Sequence, residues 1–305
     1  MMFAPEAVGG LLAVASGACF ALIGMAYKLG ERRGLLPIQV AFVLATAATI
    51  VFGGLALQAD AGWPPPRVWV LGALAGSTQY IALRLVQRAM RMGPMSALWC
   101  ALSLSFVPVV PYAFCVFGQR LTPWQSAGLL AAAGCVLVAA RWMGRTRAAP
   151  ARAPKFSASY LAVLVLIMLF NGGSVIGVTD LSLRQWTDGQ TYGARFMMVY
   201  LFLFYGWLAA LVFTDLAGRR KLLGTKPLLA LGALAACGSC GGMLLAFQAN
   251  QALGSVSWAI NGSASIVTMA LIDTFGFGER RTPAWYATCA LGAAAVVLSS
   301  LRSVP

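Results

Sequence analysis

Long apolar runs return again and again along this chain, each close to the length a helix needs to cross a bilayer. Prolines, glycines and clusters of basic residues separate them. Hydrocarbon offers no water to backbone N–H and C=O groups, so a run of this kind satisfies its own backbone by forming a helix. Composition agrees. Of 305 residues, 60% are hydrophobic and only 10% charged, with a mean hydropathy of +0.80; a soluble domain carries about 25% charged residues. The 33 glycines and 14 prolines fit as well, because both are commoner in membrane helices than in soluble ones. The chain reads as an all-α polytopic membrane protein with the lipid bilayer as its solvent.

The pattern predicts ten transmembrane helices, at 5–27, 36–57, 67–90, 94–117, 123–143, 158–179, 191–214, 227–250, 254–276 and 283–302. Pro94, Pro123, Pro227 and Pro283 stand at starts, where a first-turn proline loses no hydrogen bond. One sizeable break, the basic Pro/Ala linker 144–157, divides a first five-helix unit (1–143) from a second (158–305). The halves resemble each other. Phe117-Gly118-Gln119-Arg120-Leu121-Thr122-Pro123 returns 160 residues later as Phe277-Gly278-Glu279-Arg280-Arg281-Thr282-Pro283. Arg88-Ala89-Met90-Arg91 parallels Gln248-Ala249-Asn250-Gln251 at the same offset. Units with an odd number of spans must be inverted relative to each other, a construction transporters use.

Two five-helix halves, each with a G-[EQ]-R-x-[TS]-P element before its last helix, resemble the drug/metabolite transporter superfamily, particularly its EamA-type permeases. The resemblance covers nearly the whole chain. It implies two inverted five-helix repeats, a central cavity between the first four helices of each half, and peripheral fifth and tenth helices through which a homodimer could form. It implies a transporter of the cytoplasmic membrane exporting amino acids or similar polar metabolites, that is, a small polar organic substrate.

Charge sets an orientation. The odd connections hold Lys28, Arg32 and Arg33, then Arg88 and Arg91, the basic linker, Arg219, Arg220, Lys221 and Lys226, and Arg280 and Arg281. Even connections and termini hold only Arg67, Arg120, Arg184, Arg195 and Arg302. Positive loops stay in the cytoplasm, so both termini face outward. EamA-type permeases usually have both termini inside. The departure resembles the sugar-porter branch, whose rhamnose symporters carry a basic connection after the first helix, and it motivates sugar uptake as the alternative. Charges that follow the first apolar run also argue against a cleaved signal peptide.

The excess of 22 Lys+Arg over 8 Asp+Glu fits basic loops against anionic lipid; no basic run interleaved with aromatics suggests nucleic acid. With no histidine and no Ser–Lys or paired-carboxylate constellation, an enzyme is disfavoured. A non-transporting membrane subunit is the other reading of a different class. The seven cysteines fall in apolar runs and read as small buried hydrophobes, including Cys237 and Cys240 at redox-motif spacing. No metal site or cofactor is expected.

Polar groups deep in a span are satisfied or functional. In the sixth helix, Asn171-Gly172-Gly173-Ser174 interrupts an apolar run, either as an unwound substrate site or as small-residue packing. In the ninth, Trp258, Asn261 and Ser265 share one face and could grip a solute by stacking and hydrogen bonding. Trp99, Ser103 and Ser105 lie in the fourth helix ahead of Pro108 and Pro111. The third presents Ser77, Tyr80, Arg84, Gln87 and Arg91 on one face; Arg84 either lines the cavity or snorkels to the interface. Asp273 is the one carboxylate inside an apolar segment, a candidate for proton coupling or a partner of Arg280 or Arg281. The first helix lacks the glutamate through which small multidrug-resistance relatives couple to protons, which disfavours export of lipophilic cations by that route.

The orientation is directly testable. A reporter fused after Pro305 that matures only in the cytoplasm should stay dark, and one that requires export should be active. A bright cytoplasmic reporter would reverse the orientation.

Overall fold

The computed structural model describes residues 5–59, 62–92, 95–143, 158–186, 189–218, 226–278 and 283–301. The linker 144–157, Asp60, Pro94, Asp188, Arg219, Arg220, Lys221, Glu279, Arg280, Arg281, Thr282 and Arg302 lie outside these.

The described chain is helical, with no strand. Its elements are α1 (Pro5–Arg32), α2 (Pro37–Gln58), α3 (Pro66–Met92), α4 (Met95–Ser103), α5 (Phe106–Phe117), α6 (Pro123–Met143), α7 (Ala158–Leu183), α8 (Tyr192–Gly218), α9 (Lys226–Leu253), α10 (Ser257–Phe277) and α11 (Pro283–Ser300). A 3₁₀ turn, Gly254–Val256, joins α9 to α10. Six helical stretches among the described residues are long and apolar enough to cross a membrane. This is an all-α, multi-pass membrane protein.

Local chemistry sets the boundaries. Pro37 opens α2, with the Gln39 side chain accepting from the Leu36 N–H. Thr122 and Gln125 cap α6 reciprocally around Pro123: the Thr122 N–H donates to Gln125 Oε1, and the Gln125 N–H donates to Thr122 Oγ1. Gly118 and Gly278 both adopt the left-handed conformation that ends a helix, at φ +63° and +68°. The repeated sequence element therefore begins with a helix stop in both halves. Gln119 also reaches across the molecule. Its Oε1 accepts from the backbone N–H and hydroxyl of Ser255 at the α9–α10 corner.

The fourth predicted span divides in two at Leu104 and Ser105, giving α4 and α5. Pro108 lacks the N–H that would bond the Leu104 carbonyl, so the regular ladder cannot run through this point. The sixth predicted span does not unwind. α7 stays α-helical through Asn171-Gly172-Gly173-Ser174, and the glycines serve close packing. A Cβ on Gly172 would meet Pro108 and the Ser105 carbonyl. Gly17 on α1 lies in the same way against the Asn261 carbonyl of α10.

α1 packs on α9 and α10, while α7 packs on α3, α4 and α5. α2 lies against α8 and α9, α3 against α8, and α6 against α11. The two helices expected to mediate a homodimer thus pair first with each other. Leu130, Leu137 and Val297 on them face outward, as lipid-facing side chains do.

Two glycines separate packing from helix propensity. Gly17→Ala puts a methyl group into backbone and should lower stability by about 1–3 kcal/mol. Gly54, with open space around it, should tolerate alanine or gain up to about 1 kcal/mol. Thermal unfolding in detergent reads both. Equal effects at the two positions would contradict the packing.

Candidate functional site

A cavity of about 170 Å³ lies between the helices. It is walled by Phe20, Ile23 and Tyr27 of α1, Ala41 and Leu44 of α2, Gln79 and Leu83 of α3, and Trp99, Leu102 and Ser103 of α4. Asn171, Ser174 and Val175 of α7, Phe204, Tyr205 and Leu208 of α8, and Ser239 and Met243 of α9 face these across the space. Trp258, Asn261, Gly262 and Ser265 of α10, with Ser105, complete the described lining.

Asn171, Ser174, Trp258, Asn261, Ser265, Trp99 and Ser103, singled out in the sequence, are thus brought to one chamber. Tyr80, Arg84 and Asp273 are not among its lining residues. Tyr80 packs against the hydrophobic core. Arg84 Nη1 donates to Asp215 Oδ2 at 2.7 Å, because the end of α8 supplies a carboxylate close by. Asp273 Oδ1 accepts from Lys28 Nζ at 2.5 Å. Lys28 on α1 is thus one partner of Asp273, and the expected partners Arg280 and Arg281 are outside the described residues. Sequence reasoning missed Gln79, Tyr27, Tyr205 and Ser239. Gln79 and Leu83 are four residues apart, the signal of a second face on α3 beside the one that carries Arg84.

Two polar chains hold the walls. On one side, Asn261 Nδ2 donates to Ser16 Oγ, which donates to the Gly242 carbonyl, linking α10, α1 and α9. On the other, Asn171 Nδ2 donates to the Leu102 carbonyl at the α4 break, and Ser174 Oγ donates to Gln79 Oε1, linking α4, α7 and α3. Trp258 Nε1 donates to Thr179 Oγ1 at 3.0 Å, and the Tyr205 and Ser239 hydroxyls share a hydrogen bond of 2.6 Å. Tyr27 and Trp99 stack with ring centroids 6.1 Å apart.

Charged clusters stand at opposite ends. The Lys28–Asp273 pair joins the last turns of α1 and α10, with Lys28 and Arg32 over the Phe277 ring. At the other end, fully buried Asp180 on α7 accepts from Arg67 at 3.0 and 2.8 Å, from Arg184 and from the Tyr112 hydroxyl. Its bond to Arg184, just past the α7 span, holds that guanidinium further into the protonated range than usual. The 22 residues of α2, about 33 Å at 1.5 Å per residue, separate the α1 end from the start of α3 where Arg67 stands. No group of metal-ligating side chains occurs among the described residues.

No protein-family model and no curated protein matches the chain. Solved structures do: 28 chains match. One, described as "Crystal structure of protein", has a TM-score of 0.70 and covers 96% of this chain and 95% of its own at 16% identity. At that identity the likeness is one of fold alone.

The Lys28–Asp273 pair gives a test of the charge account. Lys28→Met or Asp273→Asn alone should cost about 1–3 kcal/mol, since each removes one charge of a largely buried pair. The double substitution should cost less than the sum. Additive losses in denaturant unfolding would show that the two charges are not coupled.

Proposed function

We propose that the protein is a small-molecule transporter of the cytoplasmic membrane that works by alternating access, built as ten transmembrane helices in two inverted five-helix repeats. The observation that carries the reading is the cavity, walled from both halves and lying between polar clusters at opposite ends. Counting α4–α5 as one crossing gives ten.

The packing supports the repeat. Exchange α1 with α7, α2 with α8, α3 with α9, and α4–α5 with α10. The contact of α1 with α9 and α10 becomes that of α7 with α3 and α4–α5, and α2 on α9 becomes α8 on α3. Gly17 against the Asn261 carbonyl corresponds to Gly172 against that of Ser105. The chain Asn261–Ser16–Gly242 and the contacts of Asn171 and Ser174 join corresponding helices. Lys28–Asp273, between α1 and α10, corresponds to Asp180–Tyr112, between α7 and α5.

In this mechanism the two clusters are latches. One parts while the other holds, so that the cavity meets each side of the membrane in turn. Opening the Lys28–Asp273 end leaves the Asp180 cluster to keep the halves together, and the reverse. Asp273 and Asp180 are then the groups at which a proton could be coupled to opening.

The resemblance to EamA-type permeases favours export of amino acids or similar polar metabolites. Uptake of a sugar is the second reading, favoured by Trp99 and Trp258 sharing the cavity wall with the amides of Gln79, Asn171 and Asn261.

Proteoliposomes holding the purified protein, loaded with labelled amino acids, sugars and uncharged heterocycles, test transport. Net flux above protein-free vesicles is expected, and its absence for every class would leave a non-transporting subunit. For the solute that moves, Asn261→Ala should weaken binding roughly tenfold to a hundredfold, the loss of a buried hydrogen bond worth about 1–3 kcal/mol. Leu130→Ala, 74% exposed on the outer face, should leave it unchanged. Wild-type affinity in Asn261→Ala would remove that residue from the site.

A further inference from the structure

Among the described residues, the charges next to the cavity wall are turned elsewhere. Lys28 follows Tyr27 of the wall, yet its ammonium goes to Asp273. Arg84 follows Leu83 of the wall, yet its guanidinium goes to Asp215. Asp180, on the helix that supplies Asn171 and Ser174, is taken up by two arginines and a tyrosine. Among the described lining residues none is charged.

The wall's polar groups are neutral, and several have bonding capacity to spare. Gln79 uses its Oε1 on Ser174, and Asn261 uses its Nδ2 on Ser16. The Gln79 amide nitrogen, the Asn261 carbonyl oxygen, the Trp99 indole N–H and the Ser103 and Ser265 hydroxyls make no hydrogen bond to another described residue. Both donors and acceptors are therefore offered, in small number, among the aromatic faces of Phe20, Tyr27, Trp99 and Trp258.

Resting on the transporter reading above, we propose that the occupant of this cavity is an uncharged, planar heteroaromatic solute bearing an amide-like donor and acceptor. Size agrees. A cavity of about 150 Å³ houses benzene, and this one, at about 170 Å³, takes a single substituted ring. Its ring stacks on the indole and phenol faces. Its donor finds the Asn261 carbonyl oxygen, and its acceptor finds the Gln79 amide or the Trp99 N–H. A carboxylate or ammonium in the same place would lose its water without gaining a counter-charge. A hexose would bury a hydroxyl on nearly every ring carbon against a wall with few partners. The occupant is thus the uncharged kind among the polar metabolites, favoured over a free amino acid, which is charged at both ends.

The test is a matched pair in which only charge changes. The full chain in lipid nanodiscs is titrated calorimetrically with nicotinamide, nicotinate and glucose, and labelled nicotinamide is followed in proteoliposome counterflow. Nicotinamide should bind at least tenfold more tightly than nicotinate or glucose. Trp99→Ala and Asn261→Ala should each weaken it at least tenfold, with folding checked by an unchanged elution profile and unfolding temperature. Nicotinate or glucose binding as tightly as nicotinamide would overturn the proposal. No nicotinamide binding would do so too, as would binding indifferent to both substitutions. The outcomes keep the two readings apart. Nicotinamide bound at the Trp99–Asn261 wall without counterflow sinks transport and keeps the site chemistry. Amino-acid counterflow that needs Asn261 keeps transport and sinks the chemistry proposed here.

Discussion

Hydrocarbon solvates neither a charge nor an open backbone group, and the arrangement of these helices answers to that. The described carboxylates at Asp180, Asp215 and Asp273 are each paired with a cation from another helix. Those pairs fix which helices meet. Lys28 holds α1 to α10, Arg84 holds α3 to α8, and Arg67 holds α3 to α7. With the charges engaged at the ends and flanks, the space between the halves is left to aromatic and neutral polar side chains. The absence of charge among the described wall residues and the ion pairs at the two ends follow from the same requirement.

Backbone groups obey it as well. Where α4 gives way to α5, regular hydrogen bonding is interrupted, and Asn171 of the opposite half donates to the Leu102 carbonyl. The break and the asparagine belong together, since a mid-span carbonyl and a mid-span amide satisfy each other. Gly172 allows α7 to come close enough for that bond to form. The small residues and the polar residue of one short segment do different jobs at one contact.

Helix positions were legible in the sequence because prolines, glycines and apolar length each act locally. The starts at Pro123, Pro227 and Pro283 and the stops at Gly118 and Gly278 need no tertiary knowledge. Polar residues buried mid-span were legible as candidates for the same reason. Three of the nominated residues stand elsewhere because direction around a helix is set by partners distant in sequence. Arg84 turns towards Asp215, 131 positions away, and Asp273 towards Lys28, 245 positions away. Tyr27 and Tyr205 were passed over because an aromatic in an apolar run carries no local mark of facing a cavity. The division at Leu104–Ser105 was foreshadowed by Pro108, while the glycines of α7, which the sequence left open between a break and close packing, are a packing surface.

In the proposed mechanism the Lys28–Asp273 and Asp180 clusters open in alternation around one cavity. Paired spin labels in a cysteine-free background measure this, one pair at Glu31 and Phe275 beside the first cluster and one at Val116 and Gln185 beside the second. Introducing Asp273→Asn should lengthen the first distance and favour the shorter, latched distance in the second. Both distances unchanged, or both lengthening together, would contradict the account.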